Sequence, residues 1–155
     1  MSSTRVPPRQ TDAEVLARFA GSKRRPPCSD TLGLELIGVD QAAGTVRVRM
    51  QAPPAWCNPT GALQGGFVVA LLDEAMAVAG IVAGQMDFAV PTLELKTSFL
   101  RPCPPGSLEA EGRVVRWGRT VAFLEADLFD PQGRVVARAS STVVPTPLPG
   151  RAPRT

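Results

Sequence analysis

From Thr45 to Met50 the chain alternates strictly, with Val46, Val48 and Met50 set against Arg47 and Arg49. A period of two is that of a half-buried strand. Residues 65–84 follow another rule. They are almost all apolar or small and include Asp73 and Glu74, and they read as one long helix over about 66–84. Such a helix is hydrophobic nearly all round, so it must be wrapped. Further strands are predicted over Leu32–Val39, 89–100, 107–117, 120–129 and 134–144. Turns near Asp40–Gly44, at Gly118-Arg119 and at Asp130–Gly133 separate some of them, and Pro102, Pro104, Pro105 and Gly106 break the chain between others. Ahead of these, Thr11-Asp-Ala-Glu14 is a capping box, with Val15, Leu16, Phe19 and Ala20 on one face and Gly21 able to end a short helix. The order is helix, two strands, long helix, four strands. An antiparallel six-stranded sheet curled around the long helix is the economical α+β solution. Lys23–Pro27 reads as a solvated basic linker. Residues 1–10 and 145–155 read as loose tails around a single domain, 11–144.

Composition narrows the function. The chain has 155 residues, 44% apolar and 20% charged, and a net charge of +3. That suits a soluble domain and is too small and scattered a charge for nucleic acid. Aromatic residues are 5% of the chain, which disfavours stacking on single strands. Histidine is absent, removing Ser-His and Cys-His dyads and any His-ligated metal, and no metal site is expected. Cys28, Cys57 and Cys103 are odd in number with no CxxC spacing, so a reducing, cytoplasmic setting is expected. The helix at 65–84 passes a length test for a membrane span, but Asp73 and Glu74 at its centre argue against insertion.

The chemistry gathers in one segment. A polar loop from Asn58 runs through Gly61-Ala-Leu-Gln64 to Gly65-Gly66, and the helix then carries Asp73-Glu74-Ala75. An acid on so apolar a helix is costly unless paired or hydrogen-bonded. This segment resembles the signature of hotdog-fold acyl-CoA thioesterases of the phenylacetic-acid-degradation and 4-hydroxybenzoyl-CoA types. The family pattern is an Asn, then six residues on a His-Gly-Gly, then an acid nine residues after the His. The spacing is kept, with Gln64 in place of the His. The run from Pro91-Thr92 to Arg101-Pro102 resembles the family's next strand. The resemblance implies a hotdog fold, hydrolysis of an acyl-CoA to free acid and CoA, and no cofactor beyond the CoA of the substrate.

On that reading Gly65 lies at a helix N-terminus, where unpaired N–H groups can polarise a thioester carbonyl. Asp73 is the base or nucleophile. Gln64 is a donor that cannot titrate, Asn58 positions the Gln64 loop or the substrate, and Thr92, at a family Ser/Thr position, orients water. Glu74, about 100° round the helix, reads as solvent-facing or paired at an interface. Structural alternatives remain for each: an ion pair for Asp73, a tight turn for Gly65 and Gly66, a turn for Asn58, a strand position for Thr92. Gly66, Arg101, Gly118, Arg119 and Thr120 are candidates for binding substrate and CoA phosphates. Eight residues of helix separate Gly65 from Asp73 by roughly 12 Å, so one carbonyl meets both only if they come from different subunits. A homodimer with antiparallel central helices does this, and pairing into a dimer of dimers is expected. The rival reading is a non-catalytic acyl-CoA binder, favoured by Gln64; a hydratase is disfavoured by the absence of His. The acyl group itself is not legible.

Overall fold

The computed structural model describes residues 9–22 and 25–150. Helix α1 (Asp12–Ala20) starts at the expected capping box: Thr11 Oγ1 accepts the Glu14 N–H at 3.3 Å and Glu14 Oε2 accepts the Thr11 N–H at 2.7 Å. It buries Val15 and lies against β1 (Glu35–Asp40). A second helix, α2 (Pro27–Thr31), was not anticipated. Its Pro27 stands at the first helical position, where a missing N–H costs nothing. Gly33, at φ +58°, then turns the chain into β1, which is why the strand expected from Leu32 starts at Glu35. Lys23 and Arg24 of the expected linker lie outside the described residues; Arg25 pairs with Asp30 at 2.9 Å and donates to the Leu34 carbonyl.

Strand β2 (Thr45–Ala52) buries Val46, Val48 and Met50 and leaves Arg47 and Arg49 on its other face, as the alternation predicts. The expected strand over 89–100 is split at Val90-Pro91. Pro91 has no N–H to donate to a ladder. Upstream, β3 (Phe88–Ala89) pairs with β8 (Thr146–Pro147); downstream, β4 (Thr92–Phe99) pairs with β7 (Val135–Val143). With β5 (Gly106–Trp117) and β6 (Ala122–Phe129), the main sheet has the order β1-β2-β5-β6-β7-β4, antiparallel throughout. Two segments read as tails have contacts at their inner ends. Arg9 pairs with Asp87 at 2.8 Å, and the Leu148 N–H donates to the Asp87 carbonyl at 2.9 Å.

The sheet curls around α3 (Gly65–Ala83), which buries Val68, Leu71, Leu72, Met76, Val78 and Val82 against it. Although α3 is long and apolar enough to cross a membrane, here it forms the core. Small residues set the spacing. A Cβ at Gly112 on β5 would lie 2.2 Å from the Ala75 carbonyl oxygen, so only glycine lets the strand approach this closely. On the outer face, Asp127 is buried between Arg113 and Arg138, at 3.1 and 2.5 Å. Burial alone pushes its carboxyl up, but hydrogen bonds from the two guanidiniums outweigh this and hold it below its ordinary range. Strand β4 is an edge, and Leu93, Phe99 and Leu100 on and beside it are 62, 55 and 53% exposed.

Candidate active site

Gln64 is the N-cap of α3, with φ −65° and ψ 140°. Its Oε1 accepts the Gly66 N–H at 2.7 Å, and its carbonyl accepts the N–H groups of Phe67 and Val68 at 3.0 and 3.3 Å. The Gly65 N–H is left without a partner among the described residues. Gly65 therefore carries the free donor of this helix end, and Gly66 does not. The Gln64 amide nitrogen is likewise uncommitted, since the oxygen must be the atom facing the Gly66 N–H.

The loop before the helix is tied down by its own backbone. Asn58 Oδ1 accepts from the Thr60 N–H and hydroxyl at 2.9 and 2.6 Å, an Asx turn that Gly61 completes at φ +83°. Of the two roles expected for Asn58, shaping the loop is the one with contacts, and Gln64 is fixed instead by donating its N–H to the Trp56 carbonyl at 2.9 Å. Trp56 stacks on Phe67 with centroids 4.7 Å apart, pinning the loop to the first turn of α3. Gly65 opens on a cavity of about 450 Å³ that is also lined by Asn58, Phe99, Arg101, Cys103 and Val136. The Phe99 ring roofs it, 3.2 Å from where a Gly65 Cβ would lie. Arg101 donates one N–H to the Val135 carbonyl at 2.6 Å, leaving most of its guanidinium to the cavity mouth. Burial pushes the Cys103 thiol up to about 11, which makes it a poor nucleophile.

Asp73 is half-buried. Its Oδ1 accepts the Thr92 hydroxyl at 3.0 Å, and its Oδ2 has no partner among the described residues. The geometry thus joins the two residues that sequence spacing alone could only suggest. Glu74, next to Asp73, is half-buried and has a partner within the chain that the sequence did not suggest. Glu74 Oε1 accepts the hydroxyl of buried Ser29 on α2 at 2.6 Å. Ser29 was missed because α2 was missed; the Pro-Pro pair before it was the available signal.

Gly118, Arg119 and Thr120 stand elsewhere. Trp117 packs against Gly84, just past the C-terminal end of α3, roughly 27 Å from Gly65 along the axis. The Gly118 N–H is used inside its own turn, donating to Val121 at 3.0 Å. No cluster of metal-ligating side chains occurs among the described residues. What remains is a free backbone donor in one cavity and a hydroxyl-held carboxylate two turns further along the same helix.

The thioesterase superfamily profile matches residues 60–137. Over 108 residues the chain is 34% identical to a Saccharolobus solfataricus protein named "Putative esterase", an overlap of 70% of this chain and 75% of that one. A solved structure of a phenylacetic acid degradation-related protein from Ralstonia eutropha JMP134 is 33% identical, with a TM-score of 0.77 over 83% of this chain and 98% of that chain. A Haemophilus influenzae thioesterase shares the fold at a TM-score of 0.71 over 96% of this chain and 97% of its own, with 19% identity. Matched by the profile over half of its length, from Thr60 through α3 and β4 to β6, the chain belongs to the thioesterase superfamily and has its hotdog fold.

Proposed function

We propose that this protein hydrolyses an acyl-CoA thioester at a site completed by two copies of the chain. The observation that carries the reading is the split between a free Gly65 N–H and a Thr92-held Asp73 on one rigid helix. At about 1.5 Å of rise per residue they stay roughly 12 Å apart. A second copy docked through the β4 edge, with its α3 antiparallel, brings its Asp73 to the first copy's Gly65. The exposed Leu93, Phe99 and Leu100 supply apolar area for that docking. Such dimers pair further into a dimer of dimers.

In this site the thioester oxygen accepts from the Gly65 N–H, helped by the Gln64 amide. Water gives a proton to Asp73 Oδ2 as its oxygen bonds to the carbonyl carbon. The tetrahedral oxyanion is stabilised by Gly65, then collapses, the C–S bond breaks, and CoA leaves as thiolate and is reprotonated. Thr92 keeps the carboxylate aimed. Arg101, at the mouth of the Gly65 cavity, takes a CoA phosphate. Arg119 stands too far along α3 to share that cavity in one chain, and any phosphate it contacts belongs to another subunit's site.

A thiol-release assay over a panel of acyl-CoAs tests the proposal. Asp73→Asn, which keeps the Thr92 contact, should lower turnover roughly 10²- to 10⁴-fold with the thermal midpoint unchanged. Undiminished release in that variant would remove Asp73 from the mechanism. Gln64, with no titratable ring, favours one rival: a chain that binds acyl-CoA without cleaving it. Ligand-induced thermal stabilisation with no thiol release across the panel would establish the rival.

A further inference from the structure

A second cavity, of about 390 Å³, lies between α1, α2, β1 and α3 and is lined by Glu74, the residue after Asp73. Its wall is mainly apolar, with Phe19, Leu36, Ala77, Val78, Ile81 and Val90. Its volume falls in the range that small-molecule sites occupy. Ser22, Arg25, Ser29, Glu35 and Glu74 interrupt the wall; Arg25 is committed to Asp30 and the Leu34 carbonyl, and Glu35 to Arg49. Ser29 is buried and gives its only proton to Glu74 Oε1, while Glu74 Oε2 has no partner among the described residues. A carboxylate oxygen facing an apolar cavity is an acceptor waiting for a donor.

Glu74 follows Asp73 directly, so it marks the end of the cavity nearest the reacting carbonyl. Ile81 marks the other end, roughly 10 Å further along the helix axis. Val90, in the same wall, lies two residues before Thr92 at the start of β4. An acyl group whose thioester carbonyl sits beside Asp73 therefore passes Glu74 first and apolar side chains afterwards. We propose that this cavity receives the acyl group, and that Glu74, oriented by Ser29, selects acyl groups with a hydroxyl near the thioester and an apolar tail beyond it. The inference rests on the thioesterase reading of Asp73 and adds a substrate class to it. Glu74 is a specificity residue here, and Ser29 a positioning residue.

Hexanoyl-CoA and 3-hydroxyhexanoyl-CoA test this as a matched pair. The intact protein should show a higher kcat/KM for the hydroxylated member. Replacing the acceptor, Glu74→Leu, should reduce that preference by roughly tenfold or more, the scale of one hydrogen bond to a charged group. Ser29→Ala should keep the direction of the preference but reduce its size, because Glu74 remains an acceptor without its orienting hydroxyl. If the pair merely latches α2 to α3, both variants will slow the two substrates equally, and an unchanged ratio overturns the proposal.

Binding is read separately from turnover. Cys28 is exposed and lines this cavity. In the Asp73→Asn protein, 3-hydroxyhexanoyl-CoA should protect Cys28 from iodoacetamide at lower concentration than hexanoyl-CoA, followed by peptide mass spectrometry. Equal protection, or none, contradicts the proposal. Differential protection in a protein whose unsubstituted form releases no thiol would uphold the cavity assignment while removing the hydrolytic reading.

Discussion

Asp73 has one oxygen held by a hydroxyl and the other open, and this asymmetry decides what Thr92 is for. A hydroxyl that only filled strand space would be replaceable by a methyl group. A hydroxyl that aims a carboxylate is not. Thr92→Val should therefore lower kcat about ten- to hundredfold with little change in KM, since misplacing a catalytic group by a fraction of an ångström is costly. Thr92→Ser should retain most activity; equal loss in both variants would mean that strand packing matters instead. Asp127 carries a different prediction. Its folded carboxyl is held below the ordinary 3.8 by Arg138 and Arg113 against the opposing effect of burial. The stability it contributes is fully present above that ordinary value and is lost as pH falls through the lower folded value. Asp127→Asn should thus flatten the acid limb of a thermal-midpoint profile below about pH 4 while lowering the midpoint at neutral pH. A limb of unchanged steepness would assign acid sensitivity to other pairs. At this scale motif spacing singled out Asp73, Gly65 and Thr92, and the structure sets the Thr92 hydroxyl on Asp73 and leaves the Gly65 N–H free among the described residues. Sequence reasoning missed the Ser29 hydroxyl on Glu74 because Ser29 lies 45 positions away on a helix too short to show a period.

Element by element, the clearest signals were those with a period or a cap. The alternation of Val46, Val48 and Met50 marks β2, and the reciprocal Thr11–Glu14 bonds mark the start of α1. Helix α2 spans five residues, less than two turns, so no apolar face repeats. The break in the strand predicted over 89–100 was written in Pro91, but its consequence, a separate β3–β8 ribbon, depends on a partner far along the chain. The contact between α3 and β5 was legible only as a richness in small residues. Gly112 makes it specific. Gly112→Ala would press a methyl against the backbone carbonyl of Ala75, which no side-chain rotation relieves. Its expected cost is about 3 kcal/mol or more by chemical denaturation, at the upper end for overpacking. A loss below about 1 kcal/mol would show that the sheet can move away from the helix without penalty.

For the whole molecule the central issue is how one helix serves one carbonyl from two places. The fold makes α3 rigid by burying it, so its two half-sites cannot approach each other within a chain. On the proposed mechanism association completes the site, and β4 offers an edge with apolar side chains for it. Two inactive variants put this to the test. Asp73→Asn disables the carboxylate. Gly65→Pro removes the free N–H while respecting the backbone, because Gly65 is the first helical residue and Gln64 has the extended geometry that precedes a proline. Co-assembled from equal amounts of differently tagged chains, half of the dimers are mixed, and each mixed dimer holds one site with both groups intact. The account predicts recovery of about a quarter of the unsubstituted rate of thiol release in the mixture. A mixture whose mixed dimers form but remain as inactive as either parent would contradict it.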